Sequence, residues 1–180
     1  MASGVSAAKL NIPQAQSDEK NIVLYGAFFE PKDGDSKLYH AAIAAHNIQT
    51  NEWDVFDAVF VTTEDCWQPN HRHRNPQDSV RCIPLVSLAE ITKSQLPLVK
   101  TAAESVEIPD PDDNPKWTCQ NYILDIWKAL QVNGVIGKMT WMRGEDKLKG
   151  HCGPIFVPEY RSVEEDEMDE VGGIFFGKGF

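Results

Sequence analysis

The 180-residue chain lacks a long apolar run, a CxxC pair, an excess of basic side chains and any internal repeat. Each absence removes a class of function. Without an apolar stretch of about 20 residues there is no candidate membrane helix. The opening "MASGVSAAKLNIPQAQSDEK" has no charged segment leading into an apolar core, so no secretory signal is read there. A soluble, cytoplasmic protein is expected. Seventeen basic against 27 acidic side chains give a formal charge of -10. That balance repels nucleic acid and anionic membrane, so no nucleic-acid partner is expected. Cysteines at 66, 82, 119 and 152 are too scattered for a zinc ribbon or a disulfide framework, which leaves free thiols. The absence of a period of about 20 to 50 residues excludes a solenoid.

What is present divides into three parts. Residues 1–20, rich in Ala, Ser, Gln and Lys without apolar periodicity, read as a flexible arm. Residues 21–160 are long enough for one α+β domain with its own core. Residues 161–180 join an acidic run to "GGIFFGKGF", a Gly/Phe-rich tail suited to docking on the domain, on a partner or on a second copy.

Within the domain, "NIVLYGAFF" (21–29) is β-branched and aromatic enough for a buried strand, and "PKDGDS" follows as a turn. "KLYHAAIAAHN" (37–47) and "WDVFDAVFV" (53–61), separated by "IQTNE", read as a hairpin. The polar "TTEDCWQPNHRHRNPQDS" reads as a long loop. A short strand near 80–87 and a helix within 89–104, opened or kinked by Pro97, come next. The helix in "NPKWTCQNYILDIWKAL" (114–130) runs to a C-cap at Asn133 and Gly134. "VIGKMTWM" and "GPIFVPEY" read as short strands, and the "HCG" between them as a turn.

The chemistry centres on that helix. Thr118 is a good N-cap, which puts Cys119 in the first turn, where unsatisfied N–H groups and the helix dipole favour a thiolate. Cys119, Ile123, Ile126, Trp127 and Leu130 share one face, so the sulfur points toward the layer the helix packs on. On those grounds alone Cys119 reads equally as a small core side chain. A base would change that. Alternation on the strand 37–47 groups Leu38, His40, Ala42, Ala44 and His46, and the small residues 42 and 44 would let the helix approach until His40 meets the thiol. A nucleophilic cysteine needs such an imidazole to take its proton and return it to a leaving group.

A carboxylate behind the imidazole would complete the set. With a turn centred near residue 50, Asp57 falls opposite positions 42–44, on the His40 side. Asp54 falls opposite His46, about 20 Å from His40 at about 3.3 Å per residue. Asp57 is the better acceptor, while Asp54 and His46 stay open as alternatives, and a one-residue slip would turn Asp57 to the other face. The spacing C-x4-H-x-H-x8-C of Cys66, His71, His73 and Cys82 fits no common zinc pattern, so neither a metal nor another cofactor is expected.

The order His40, Asp57, Cys119 resembles the permuted papain-like folds, the NlpC-type group that includes lecithin retinol acyltransferase relatives. More closely, "YHAAI" (39–43), "FDAVF" (56–60) and "NPKWTCQNYILDIWKAL", followed by "NGVIGK", resemble a fungal family of small proteins of unknown function. The likeness covers residues 21–140. Three positions depart from its pattern: Ala41 replaces an aromatic, Asp57 a second histidine, and Thr118 an asparagine. The resemblance implies an antiparallel sheet packed against the cysteine helix, and an acyl hydrolase or acyltransferase acting on a thioester, ester or amide, on a small or carrier-bound substrate. In it Cys119 is the nucleophile, His40 the base and Asp57 the orienting group. Gln120 would assist the Cys119 N–H in holding an oxyanion, or lie solvated in the first turn, and Trp117 would wall the cleft or simply pack. The alternative on the same fold is a noncatalytic interaction module binding through its acidic surface and tail.

Overall fold

The computed structural model describes residues 19–31 and 39–152. The arm over residues 1–18, the turn at 32–36, Leu38, the strand read at 153–160 and the tail 161–180 lie outside them. Five strands, β1 (Ile22–Phe29), β2 (His40–Asn47), β3 (Glu52–Val61), β4 (Cys66–Arg72) and β5 (Val86–Ile91), form one antiparallel sheet in the order β4-β3-β2-β1-β5. Three α-helices follow the strands: α1 (Leu96–Glu104), α2 (Cys119–Val132) and α3 (Lys138–His151). Among the described residues no helix is long and apolar enough to cross a membrane.

β2 is the middle strand, and residues 41–45, "AAIAA", are buried on both faces. One face shares a core with α2. There Ala41, Ile43, Ala45, Phe28 and Phe56 pack with Ile123, Ile126, Trp127 and Leu130. Ala42 and Ala44 lie on the other face with Ala27, Phe29 and Val55, under Cys82 and Leu85. This corrects the expected packing: the helix approaches over Ala41 and Ala45 rather than over 42 and 44. Alternation was sound, but alanines line both faces of the strand, so it could not say which face the helix takes.

The hairpin register puts Ala42 opposite Asp57, within the expected range, whereas Asp54 falls opposite Ala45 and not opposite His46 as expected, because the pairing is one residue off a turn centred at 50. The expected loop after β3 is largely strand. Residues 66–72 pair with β3, and Pro69 is tolerated because β4 is an edge strand with no outer partner to feed. The strand expected near 80–87 is a single bridge at Cys82 followed by β5. The helix expected within 89–104 begins only at Leu96, because "VSLAEI" pairs with β1. Pro97 stands in the first turn of α1, where a missing N–H costs nothing.

The helix expected from the cysteine segment forms as α2. Thr118 accepts the Gln120 N–H, Asn121 Oδ1 returns a bond to the Thr118 N–H, and Asn133 and Gly134 (φ 71°) close the far end. "VIGKMTWM" is not a strand. Val135 and Ile136 are buried beside α2, and from Lys138 the chain is helical through His151, with Cys152 as its C-cap. The apolar stripe of α3 is sparse, chiefly Trp141 and Leu148 with Gly144 between them, so the β-branched and aromatic residues at its start dominated the pattern.

Candidate active site

His40 opens β2, and Cys119 opens α2. The two ends are tied together because Gln120, 1% exposed, donates through Nε2 to the Tyr39 carbonyl at 3.0 Å. Neither first-turn solvation nor a free side chain describes Gln120; one of its two amide hydrogens holds the helix start to the strand start. Cys119 is 2% exposed and packs in the core shared by α2 and the sheet. Its N–H is the first of those that no helical carbonyl can reach.

Asp57 is fully buried, on the face of β3 that also carries Val55. Its carboxylate takes His40 Nε2 at 2.6 Å on Oδ2, Asn70 Nδ2 at 2.8 Å on Oδ1, and Arg72 Nη2 on Oδ2. Three donors from β2 and β4 satisfy the charge, as a buried carboxylate requires. Arg72 is engaged through Nη2, and its Nε is buried with no hydrogen-bond partner among the described residues. Asn70 and Arg72 were missed in the sequence because they fell in the supposed loop. Their period-2 spacing, against Trp67, Pro69 and His71 on the alternate positions, was the available signal.

With Nε2 on Asp57, the ring nitrogen of His40 left for a thiol is Nδ1. His40 is pushed up to about 9. Burial lowers it, but the hydrogen bonds to Asp57 and Cys119, with the charges of both, more than reverse that. Cys119 as well as the carboxylate therefore favours the charged imidazolium form of His40. A raised histidine stabilises the folded state fully below its unfolded value of 6.5 and loses that contribution as pH rises toward 9. Urea unfolding from pH 6 to 10 is expected to show stability falling through that window, and His40→Gln should remove this part of the slope.

The other sequence candidates are elsewhere. Asp54 hydrogen-bonds His71 and pairs with His73, and His46 stacks on Trp53 at 4.0 Å and bonds Asn51. Trp117 is buried, edge-on to Trp67 at 5.9 Å and to Tyr122 at 6.2 Å. It also lines a groove of about 670 Å³ with Leu124, Lys128 and Trp141, and the lining of that groove includes neither Cys119 nor His40. Asp110, Asp112 and Asp113 are exposed, which keeps their charges in water. Burial raises the Cys82 thiol, and burial with the charge of Cys119 pushes Cys152 up to about 12, so both stay neutral.

The chain matches no protein-family model, no curated protein and no solved structure. A cysteine at a capped helix start, an imidazole whose charged form it favours and a buried carboxylate behind the imidazole can generate a thiolate, hold the matching imidazolium and return its proton.

Proposed function

We propose that the protein is a cysteine-dependent acyl hydrolase or acyltransferase on a permuted papain-like fold. The observation that carries this is the His40 imidazole, joined to Asp57 on one side and acted on by Cys119 on the other. In the reaction, the Cys119 thiolate attacks the carbonyl of a thioester, ester or amide. The oxyanion gathers at the Cys119 N–H in the first turn of α2, and His40 gives its proton to the departing thiol, alcohol or amine. The acyl group then rests on sulfur. Water or a second acceptor, deprotonated by His40, attacks it and regenerates the thiolate. Asp57 acts through His40, fixing the ring and stabilising its charged form.

Burial of Cys119 favours a second reading, a noncatalytic interaction module in which the thiol is core packing. Labelling with iodoacetamide at neutral pH separates the two. The enzyme reading expects Cys119 to react at least about tenfold faster than Cys82 and Cys152, whose thiols are held neutral. His40→Ala should bring the Cys119 rate down to theirs. An activated acetyl ester should leave an acetyl group, detected by intact mass, that Cys119→Ala lacks. Slow, equal labelling of all the cysteines, with no trapped acetyl group, assigns Cys119 to packing.

A further inference from the structure

The β3–β4 hairpin gathers a second set of polar residues, on the face opposite Asp57. His71 stands near the end of β4 and His73 just beyond it, with the two rings 4.5 Å apart. Phe56 pairs with His71 and Val55 with Arg72, which brings Asp54 across from His73. His71 Nε2 lies 2.8 Å and His73 Nδ1 3.0 Å from the same Asp54 oxygen, Oδ1. One nitrogen from each ring and one carboxylate oxygen all fall within 4.8 Å of one another.

We infer that Asp54, His71 and His73 form a binding site for a divalent transition ion of the zinc, cobalt or nickel class. Two imidazoles and a carboxylate are the donor set such ions take at about 2.0–2.2 Å, and hard magnesium or calcium prefers oxygen alone. Tetrahedral donors at those bond lengths stand about 3.3–3.6 Å apart, so the Asp54 oxygen already lies slightly closer than that to each ring nitrogen. An ion would take the place of the hydrogen that His71 and Asp54 otherwise share.

The site is partly preformed. His71 stacks on the buried Phe56 with ring centres 4.5 Å apart and planes 14° apart, which fixes the direction of Nε2. His73 is 74% exposed and, with Asp54, borders an open hollow of about 640 Å³ that also has Glu52 and Asp78 on its wall. Water reaches the ion from that side, which leaves coordination positions for solvent or an exogenous ligand. The thiols take no part. Cys66 begins β4, five residues before His71, and Cys82 packs against the cluster on the other face of the sheet. The ligand set therefore differs from the Cys66, His71, His73, Cys82 pattern considered from the sequence, and it uses none of the residues that serve Cys119.

The test is titration of the full chain, freed of metal, with zinc chloride by calorimetry and with cobalt chloride by absorption. One equivalent should bind. Cobalt should show visible d–d bands without the near-ultraviolet sulfur charge transfer that a thiolate ligand gives. His73→Gln and Asp54→Asn should each weaken binding by more than about tenfold, whereas His46→Gln should leave it unchanged. His73 is mostly exposed, so its variant folds whatever happens at His71. Zinc binding that survives His73→Gln, that brings sulfur charge-transfer bands, or that is absent from the unsubstituted chain overturns the assignment.

Discussion

Asp57→Ala is expected to cost about 3 kcal/mol of stability, the low end of the range for removing one partner of a buried ion pair. The substitution leaves the Arg72 guanidinium and the His40 imidazolium without the carboxylate that both face, and takes away the acceptor of Asn70. The loss stays near the low end because His40 and Arg72 keep 33% and 27% of their side chains exposed, so water recovers part of their hydration. Urea denaturation measures it. The same variant has a local signature: the His40 titration followed by NMR should fall from about 9, because the hydrogen bond and charge of Asp57 disappear while burial remains. A stability loss without movement of the His40 titration would mean that Asp57 is a structural anchor and has no hold on the imidazole.

Gly144→Ala should be comparably damaging, about 3 kcal/mol, at a position where helix meets helix. A Cβ there would overlap Trp127 Cζ2 and stand 2.7 Å from its Nε1. Trp127 has no room to yield. It is fully buried in the core of α2, and its Nε1 donates to the Trp141 carbonyl at 2.8 Å. Either the indole gives up that bond or α3 moves off α2, and overpacking of this kind costs about 1–3 kcal/mol and occasionally more. Glycine is normally unfavourable inside a helix by about 1 kcal/mol against alanine, so the expected sign is opposite to that of helix propensity. Thermal unfolding decides it: a raised midpoint would show that Trp127 can shift without loss.

These expectations rest on parts of the structure that were unequally legible in the sequence. The cysteine helix was readable because cap, apolar face and C-cap all agree along "TCQNYILDIWKALQVNG". The β2–β3 hairpin was readable because its apolar runs flank one polar break, and the turn centre sufficed to place Asp57 opposite positions 42–44 but left Asp54 one residue out of register. β4 was hidden by its own role. Asn70, His71 and Arg72 are polar toward both faces, since one side meets Asp57 and the other Asp54, so no apolar alternation marks a strand. β5 and α1 were misdivided because "SLAEI" has good helix formers, and its pairing with β1 overrides them. α3 was misread from its first residues, whereas the residues that seat it, Gly144 and Leu148, come later and are few. The tether from Gln120 to Tyr39 joins residues 81 apart, a distance at which pattern has nothing to say.

The β3–β4 hairpin has a genetic consequence. Its pairing from Val55↔Arg72 to Val61↔Cys66 is set by the length of the turn over residues 62–65, where Asp65 takes a left-handed backbone at φ 51°. A point mutation at any one of its polar side chains damages one face of the sheet. An insertion or deletion of a single codon in the turn shifts the whole strand by one place, and a one-residue shift exchanges the faces. Asn70 and Arg72 would then leave Asp57 at the same moment that His71 and His73 leave Asp54. Substitutions can tune the two clusters separately, but the length of that turn holds them as one inherited unit.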